Sequence, residues 1–323
     1  MKSSHHYATA VLPFIVVAAV LFWGCSTGTS PQDDEDNASG DKAYENIRHE
    51  PVPADGRLET VTWNLQWYGV PSEGPEDEEL QTMNILQVID SLRADLYAFQ
   101  EVNRGPDLAR ITTAMDGYRG FVAGHIEFAQ RTAFVFNTAA IDSIDAGAIT
   151  EGQNRDDWAG RLPLYFKFEY NADGATVPVY AVVIHAKAFS DQDSYQRRKK
   201  AAEDLYNYLV NQQPDARIIF LGDYNDDVDQ SIYNGEPSPY QLFVENDHYF
   251  RVVTRPLSDA GISSTVSNNY PDIIDHITIS DELFEATVPG SEAVYQKAGD
   301  FIPDYGRTTS DHYPVWAKFD FSK

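Results

Sequence analysis

The sequence predicts an α/β domain in which two β-sheets pack together and helices flank them. The first observation is that short apolar segments typical of strands recur from residue 57 to the end of the chain. The second is that strands outnumber helical segments and are separated by long irregular connections. The third is that no internal repeat and no Pro/Gly/Ser-rich linker divides this region. With 42% hydrophobic residues among 323, the chain can bury a sizeable core.

Eight segments are predicted to be strands because they are short, apolar and rich in β-branched or aromatic residues. They are Leu58–Asn64, Leu96–Phe99, Ala133–Phe136, Leu164–Phe168, Val179–Ile184, Ile218–Leu221, Ile273–Ile279 and Val315–Phe319. Two further segments have helical spacing, one after the first strand and one, from Tyr195 to Val210, before the sixth. Their expected inner faces are Leu80, Met83, Leu86, Ile89 and Leu92, and Ala202, Leu205, Tyr206 and Leu209, respectively.

The charge of the chain limits the partners it can bind. It carries 50 acidic and 24 basic side chains, which gives a formal net charge of −26. This excludes a broadly basic nucleic-acid clamp that works by counterion release, although it allows a local basic groove. Such acidity is also what adaptation to high salt produces. The single cysteine excludes an intramolecular disulfide and a thiolate-rich metal site.

The N-terminus has the features of an export signal. Residues 8–23 are almost continuously apolar, which is short for a membrane span but suits the core of a signal peptide. The following Gly24-Cys25 resembles the end of a bacterial lipoprotein signal, so we expect residues 1–25 to be a signal with Cys25 lipidated. Phe22 and Trp23 depart from that pattern and leave an uncleaved anchor or an ordinary secretory peptide as alternatives. In every case the protein is exported, either secreted or tethered to the cell surface or outer membrane.

The rest of the chain divides into a tether and one folded domain. Residues 26–56 are acidic and poor in apolar side chains, so they cannot offset the entropy of folding and are expected to be disordered. Residues 57–323 are expected to fold as a monomer whose only membrane contact is the N-terminal lipid.

Polar side chains stand where several predicted strands begin or end. They are Asn64, Glu101, His185, Asp223, Asn225, Asp275, Asp311 and His312. Strand ends of this kind converge on one rim of a sheet pair. A set of carboxylates and amides without cysteine favours a hard cation, Mg²⁺ first and Mn²⁺ or Ca²⁺ as alternatives. Histidines beside acids supply general acid–base groups.

Each of these positions also has a purely structural interpretation. Residues 222–226 are rich in turn formers, Ser310-Asp311-His312 could be a cap or loop, and Glu101 could be a solvated loop acid. Asp275 is harder to explain in this way, because a carboxylate within an apolar strand needs a partner. For His276, beside it, we favour a structural histidine whose hydrogen bonds are satisfied.

The order of these motifs resembles the endonuclease/exonuclease/phosphatase superfamily. The matching segments are Trp63-Asn64, Phe99-Gln100-Glu101, Gly222-Asp223-Tyr224-Asn225, Ile274-Asp275-His276-Ile277 and Ser310-Asp311-His312-Tyr313-Pro314-Val315. The resemblance covers the whole expected domain. It implies a four-layer α/β sandwich with two mostly antiparallel sheets, and Mg²⁺-dependent hydrolysis of a phosphate ester.

The resemblance also implies roles for individual positions around the metal. Glu101 is expected to be the principal metal ligand, with Asn64 beside it and Asp311 close to the metal or its water shell. Asp223 is expected to activate or orient the attacking water. Asn225 is expected to hold the scissile phosphate.

Histidines and cations complete the expected site. His312, oriented by Asp275, would stabilise the phosphorane charge or act as a base, and His185 would protonate the leaving oxygen or bind the phosphate. The expected phosphate-binding residues are Arg131, Arg161 and Lys187, with surface ion pairs as the alternative for the two arginines. The four consecutive cations at residues 197–200 are instead expected to form a solvated helix face.

These expectations favour an exported, Mg²⁺-dependent phosphodiesterase of the nuclease type, with nucleic acid as its partner and in-line attack by water. Residues 154–161 contain arginines and a tryptophan, which favours contact with a polyanion. A phosphatase or phospholipase-like hydrolase of inositol phosphates or sphingomyelin is the alternative. A non-catalytic surface lipoprotein is a third possibility, and the complete set of polar strand-end residues argues against it.

Overall fold

The computed structural model describes residues 52–172, 174–267 and 272–322. The predicted signal, its Cys25 and the predicted tether up to residue 51 lie outside the described residues. Residues 52–56 contact the domain, since the carbonyl of Val52 accepts a hydrogen bond from Asn137 and that of Gly56 accepts one from Phe321. The packed region therefore includes a few residues that the sequence assigns to the tether.

Two six-stranded sheets contain the twelve strands of the described residues. The strands are β1 (Arg57–Tyr68), β2 (Leu96–Val102), β3 (Tyr118–Val122), β4 (Arg131–Asn137), β5 (Ile141–Ala148), β6 (Leu164–Ala172), β7 (Ala175–His185), β8 (Ile218–Asp223), β9 (Phe250–Val252), β10 (Asp275–Ser280), β11 (Ala293–Val294) and β12 (Val315–Asp320). The strand order is β11-β12-β1-β2-β4-β3 in the first sheet and β5-β6-β7-β8-β10-β9 in the second. Only β1 with β2 and β7 with β8 pair in parallel among these strands.

Helices cover the outer faces of both sheets. They are α1 (Glu78–Leu92), α2 (Gly105–Thr112), α3 (Gln192–Gln212), α4 (Gln241–Glu245), α5 (Arg255–Asp259), α6 (Ala298–Phe301) and α7 (Tyr305–Thr308), with a 3₁₀ helix at Asp281–Ala286. No helix of the described residues is both long enough and apolar enough to span a membrane.

Three apolar clusters separate the layers. One lies between the sheets and includes Phe134 and Phe166. A second packs α1 and α2 on the first sheet, and a third packs α3 and α4 on the second. Helix, sheet, sheet and helix make four layers, so the expected sandwich is confirmed.

The buried face of α1 differs from the predicted one. Leu80 is 36% exposed and Met83 is only half-buried, whereas Gln81 is fully buried. The side-chain amide of Gln81 donates to the carbonyls of Leu65 and Thr309 at 2.7 and 2.9 Å. The helix therefore turns this polar side chain inward and holds the segments next to the strand ends.

Strand register brings the functional side chains to one rim. His185, at the end of β7, pairs with Asp223 at the end of β8, and Asp275 at the start of β10 pairs with Asp223 from the other side. Gly222 has a φ of +149°, and a Cβ there would lie 2.2 Å from the carbonyl oxygen of Ile184. Glycine is therefore required for β7 and β8 to approach this closely before Asp223.

Candidate active site

A pocket of about 580 Å³ opens at the rim where these strands end. The predicted site residues that line it are Asn64, Glu101, Arg161, His185, Lys187, Asp223, Asn225, Asp311 and His312. Asp275 is fully buried and hydrogen-bonded to His312. The structure does not bring Arg131 to the pocket, because its guanidinium is turned to the carbonyl of Asn103.

Glu101 is held in a fixed orientation at the end of β2. Its backbone has a φ of +61°, a conformation that non-glycine residues adopt at an energetic cost and that is often found at functional sites. Its carboxylate accepts a hydrogen bond from the backbone amide of Trp67 at 2.9 Å and one from the side chain of Gln130 at 3.1 Å. Packing and hydrogen bonds thus fix the carboxylate at the pocket wall.

The neighbourhood of Glu101 fits a hard cation. Burial raises the pKa of Glu101, and the negative charge of Asp311, which is exposed in the same pocket, raises it further. Asn64 lines the pocket beside them and has an amide oxygen with a second lone pair, since one already accepts from the amide of Gln66. Two mutually repelling carboxylates with an amide oxygen form a donor set of the kind that divalent cations prefer.

His312 and Asp275 form a buried hydrogen-bonded pair. Nδ1 of His312 donates to Oδ2 of Asp275 at 2.7 Å, and the hydroxyl of Ser264 donates to the same oxygen at 2.7 Å. Burial alone would lower the pKa of His312, but the charges of Asp275, Asp223 and Asp311 outweigh it and raise that pKa well above its usual value. His312 is therefore an imidazolium whose Nε2 is left for the pocket.

Asp223 lies next to this pair. Its carboxylate accepts hydrogen bonds from the side-chain amide of Asn64 at 3.0 Å and from the backbone amide of Asn225 at 2.8 Å. Burial, followed by the charge of Asp275, raises the pKa of Asp223. Ligand atoms of Asp223, Asp275 and His312 lie within 4.8 Å of one another, but His312 and Asp275 already bind each other. The carboxylate of Asp223 is thus oriented by two donors and has increased basicity.

His185 is a neutral histidine in the pocket wall. Burial holds its pKa well below the usual value, and the nearby charges of Arg161 and His312 lower it further. Its Nε2 lies 3.6 Å from a carboxylate oxygen of Glu101 and 3.6 Å from one of Asp223. Its Nδ1 is buried and has no hydrogen-bond partner in the described part of the chain. Because Nδ1 is shielded, Nε2 is the ring nitrogen that can act on a ligand.

Besides His312, the basic side chains of Arg161 and Lys187 line the pocket. Arg161 donates to the carbonyls of His185 and Ala186 at 3.0 and 2.7 Å, and to the side chain of Gln130 at 3.0 Å. Gln130 in turn donates to Glu101, so the buried arginine also supports the orientation of that carboxylate. Arg161 thus combines a structural role with a positive charge in the pocket wall.

Two sequence interpretations are wrong in detail. Trp158 is fully buried and donates to Gln153, so it cannot offer a surface contact to a polyanion. Arg198 is fully buried instead of solvated, because it forms an ion pair with Asp226 at 2.8 Å. For His276 the structural interpretation agrees with the structure, since both ring nitrogens are buried and hydrogen-bonded.

Three residues that sequence reasoning did not identify contribute to the site. Gln130 supports Glu101, Ser264 supports Asp275, and Phe189 forms part of the pocket wall. None of the three lies in a motif or in a predicted element. No local signal in the sequence marks them, because their roles depend on contacts between distant segments.

Comparison with solved structures supports this architecture. D. rerio TDP2 in complex with a single-strand DNA product has 16% identity and a TM-score of 0.58, covering 82% of this chain and 99% of that one. The human Nocturnin catalytic domain with bound sulfate has 16% identity and a TM-score of 0.57, covering 84% and 96%. A mannosyl-6-phosphatase of Bacteroides thetaiotaomicron has 14% identity and a TM-score of 0.53, covering 80% and 98%. At these identities the likeness shows the fold alone.

Sequence comparison gives the family. A search of curated proteins found no match. A sequence model described as the Endonuclease/Exonuclease/phosphatase family matches residues 61–312, which include all eight polar strand-end residues named in the sequence analysis. This match covers most of the chain, and the protein therefore belongs to the Endonuclease/Exonuclease/phosphatase family.

Proposed function

We propose that the protein is a divalent-metal-dependent phosphodiesterase that cleaves nucleic acid. The observation that carries this proposal is the meeting of Glu101 and Asp311 with the His312–Asp275 pair at one pocket. Donors for a cation, a cationic hydrogen-bond donor and an oriented carboxylate are the groups that in-line attack on a phosphate ester requires. Family membership supports phosphoester hydrolysis as the reaction class.

In this proposal Glu101, Asp311 and Asn64 hold the cation, with Mg²⁺ as the first choice and Mn²⁺ or Ca²⁺ as alternatives. Such a cation neutralises charge on the phosphate when bound. Asp223 accepts a proton from the attacking water, because its oxygens are oriented by Asn64 and Asn225 at 3.0 and 2.8 Å. Its raised pKa, caused first by burial, makes it a stronger base than an exposed carboxylate.

The histidines and cations act on the phosphate. Imidazolium His312, kept charged by Asp275, donates from Nε2 to a phosphate oxygen and stabilises the developing charge. We assign His185 to binding the phosphate and not to protonating the leaving oxygen, because burial keeps it neutral. Arg161 and Lys187 add positive charge at the same wall. Asn225 lines the pocket beside Asp223 and is assigned to the scissile phosphate.

Nucleic acid is the substrate class that we favour. The structural neighbour from D. rerio was solved with a single-strand DNA product, and the pocket of this chain contains Arg161 and Lys187 beside the proposed catalytic groups. The test is incubation with supercoiled plasmid and single-stranded oligonucleotides in Mg²⁺, at low and high salt, with EDTA and Asp223→Ala as controls. Cleavage that needs both the metal and Asp223 is expected. No cleavage in any condition would contradict a nuclease.

A phosphomonoesterase is the second candidate. The pocket volume of about 580 Å³ is of the size that takes a small ligand, and the net charge of −26 disfavours tight binding to a duplex. The neighbour from Bacteroides thetaiotaomicron acts, by its name, on a sugar phosphate. Phosphate release from sugar phosphates and inositol phosphates, without cleavage of oligonucleotides, would favour this candidate.

We also propose that the protein is exported and lipidated at Cys25. The support is the apolar segment at residues 8–23 and the following cysteine. Labelling of the full chain with a radioactive fatty acid in a bacterial host should give a labelled protein in the membrane fraction, and Cys25→Ala should abolish the label. An unlabelled protein in the culture medium would instead indicate an ordinary secretory peptide.

A further inference from the structure

Phe189 presents an aromatic ring at the mouth of the pocket. It lies just beyond the end of β7, lines the pocket, and is 64% exposed. Its backbone has a φ of +82°, which lies in the region that favours glycine. An exposed phenylalanine in this conformation contributes little to the core and carries a conformational cost. Strained, exposed residues of this kind cluster at ligand-binding sites, and this ring lines the pocket that contains the proposed catalytic groups.

A buried ion pair fixes the segment that carries this ring. One guanidinium nitrogen of Arg198 donates to the carbonyls of Lys187 and Phe189, at 2.8 and 2.7 Å. The same guanidinium pairs with Asp226 at 2.8 Å, and neither side chain is exposed. Burying two charges is costly unless they are fully paired and hydrogen-bonded. Here the paired Arg198 fixes the backbone carbonyls of Lys187 and Phe189. The backbone that carries the Phe189 ring is therefore held in place.

The ring lies beside a cation. Nζ of Lys187 lies 4.3 Å from the centroid of the Phe189 ring, within the range of a cation–π contact. Both side chains line the pocket that also contains Asp223 and His312. A ligand that covers the free face of the ring would therefore have its phosphate close to a positive charge and to the reacting groups.

We propose that Phe189, supported by Lys187, is a stacking platform for the nucleobase of an unpaired nucleotide next to the scissile phosphate. A nucleobase is flat and apolar on its face and is linked to a phosphate, which matches the ring and its neighbouring cation. A base within a duplex has both faces covered by its neighbours, so the platform selects single-stranded nucleic acid. This inference rests on the phosphodiesterase function proposed above.

The test compares oligonucleotides with and without bases. The full chain would be assayed in Mg²⁺ with single-stranded thymidine oligonucleotides, with oligonucleotides of the same length in which each base is removed, and with the ribose equivalent. Phe189→Ala should raise KM for the base-containing strand about tenfold, since stacking on an aromatic side chain has this order of effect. Phe189→Trp should keep the wild-type KM. Phe301→Ala is the matched control, because Phe301 is 42% exposed and does not line the pocket.

The abasic strand distinguishes a base platform from a contact to the sugar. Wild type and Phe189→Ala should have the same, high KM for it, whereas equal KM values of wild type for both strands would overturn the proposal. An unchanged KM of Phe189→Ala for the base-containing strand would also overturn it. A lower KM for the ribose strand would identify RNA, and a lower KM for the deoxyribose strand would identify DNA, as the source of the base.

Failure of the phosphodiesterase function would be recognised separately. If wild type cleaves neither strand, the two oligonucleotides would be compared by fluorescence polarisation. Tighter binding of the base-containing strand that Phe189→Ala abolishes would support the platform without a nuclease function. Equal binding of both strands would overturn it.

Discussion

Nδ1 of His312 lies 2.7 Å from Oδ2 of Asp275, and this contact connects the two sheets at the pocket. Asp275 begins β10 in the second sheet, whereas His312 lies just before β12 in the first. The buried carboxylate is paired, as its position in an apolar strand requires, and the histidine gains a fixed orientation and a stabilised charge. The pair therefore belongs both to the packing of the domain and to its chemistry.

Asp275→Asn should remove the charge that stabilises imidazolium His312. The pKa of His312 should fall, and kcat should decrease about 10²- to 10⁴-fold, as is typical when a group that orients a catalytic histidine is lost. Nitrogen NMR of the histidine ring and steady-state kinetics with the preferred substrate would measure the two effects.

Asp227→Asn is the matched control for this substitution. Asp227 is also buried near a histidine, His276, at 3.9 Å, but neither residue lines the pocket. This variant should change stability and leave kcat within about twofold of wild type. Equal losses of kcat in the two variants would mean that Asp275 acts only through the fold.

Glu101→Gln should weaken binding of the divalent cation. The substitution keeps the size of the side chain but removes one of the two negative charges, those of Glu101 and Asp311, that repel each other in the pocket. We expect the Mg²⁺ concentration for half-maximal activity to rise about tenfold or more. Mg²⁺ should also raise the Tm of the wild type and have a smaller effect on the variant, because a ligand stabilises the state that binds it.

Glu59→Gln provides the control for Glu101. Glu59 belongs to the first sheet, pairs with Lys318 at 3.1 Å and does not line the pocket. Its loss should leave the Mg²⁺ dependence of Tm unchanged. The same shift of Tm by Mg²⁺ in wild type and Glu101→Gln would remove Glu101 from the metal ligands.

The success of strand prediction depended on position in the sheet. The eight strands found from the sequence are the inner strands of the two sheets, whereas β3, β5, β9 and β11, which were not found, are the four edges. Inner strands bury one or both faces, as β6 and β2 show respectively, and therefore form alternating or continuous apolar runs. The edge strand β5 has the sequence IDSIDAGA and is mostly exposed, so its pattern does not differ from that of a loop.

The candidate site was predictable only where it lies on strand ends. Asp223 and Asp275 follow or begin apolar runs, and this local signal is visible in the sequence. Ser264 reaches Asp275 across 11 positions from a loop, and Gln130 reaches Glu101 across 29. Arg198 stands in a run of four cations, and only the partner Asp226 makes it the buried one. Such contacts depend on tertiary packing, which local patterns do not encode.

Gly222→Ala should destabilise the domain and disturb the site at the same time. A Cβ at this position would lie 2.2 Å from the carbonyl oxygen of Ile184, so β7 and β8 must separate next to His185. We expect the free energy of unfolding to fall by roughly 2–3 kcal/mol and kcat to fall with it. Gly152→Ala is the control that has backbone strain without a steric clash. Gly152 has a φ of +70°, but nothing lies within 4 Å of a Cβ added there. Gly152→Ala should lower the free energy of unfolding by about 1 kcal/mol and leave kcat unchanged. If denaturant titrations show equal losses for Gly152→Ala and Gly222→Ala, the clash at Gly222 would be excluded.

His276 should make the stability of the protein depend on pH. Burial lowers its pKa to about 4, and the ring is satisfied as a neutral tautomer, with Nε2 donating to Ile273 and Nδ1 accepting from Thr254. Between pH 6.5 and about 4 the unfolded chain takes up a proton that the folded protein does not, so acid weakens the fold in this range. The free energy of unfolding of the wild type, relative to that of His276→Gln, should therefore fall by roughly 3 kcal/mol between pH 7 and pH 4. Denaturant titrations at several pH values measure this difference, and a constant difference would mean that the folded state protonates His276 as readily as the unfolded chain.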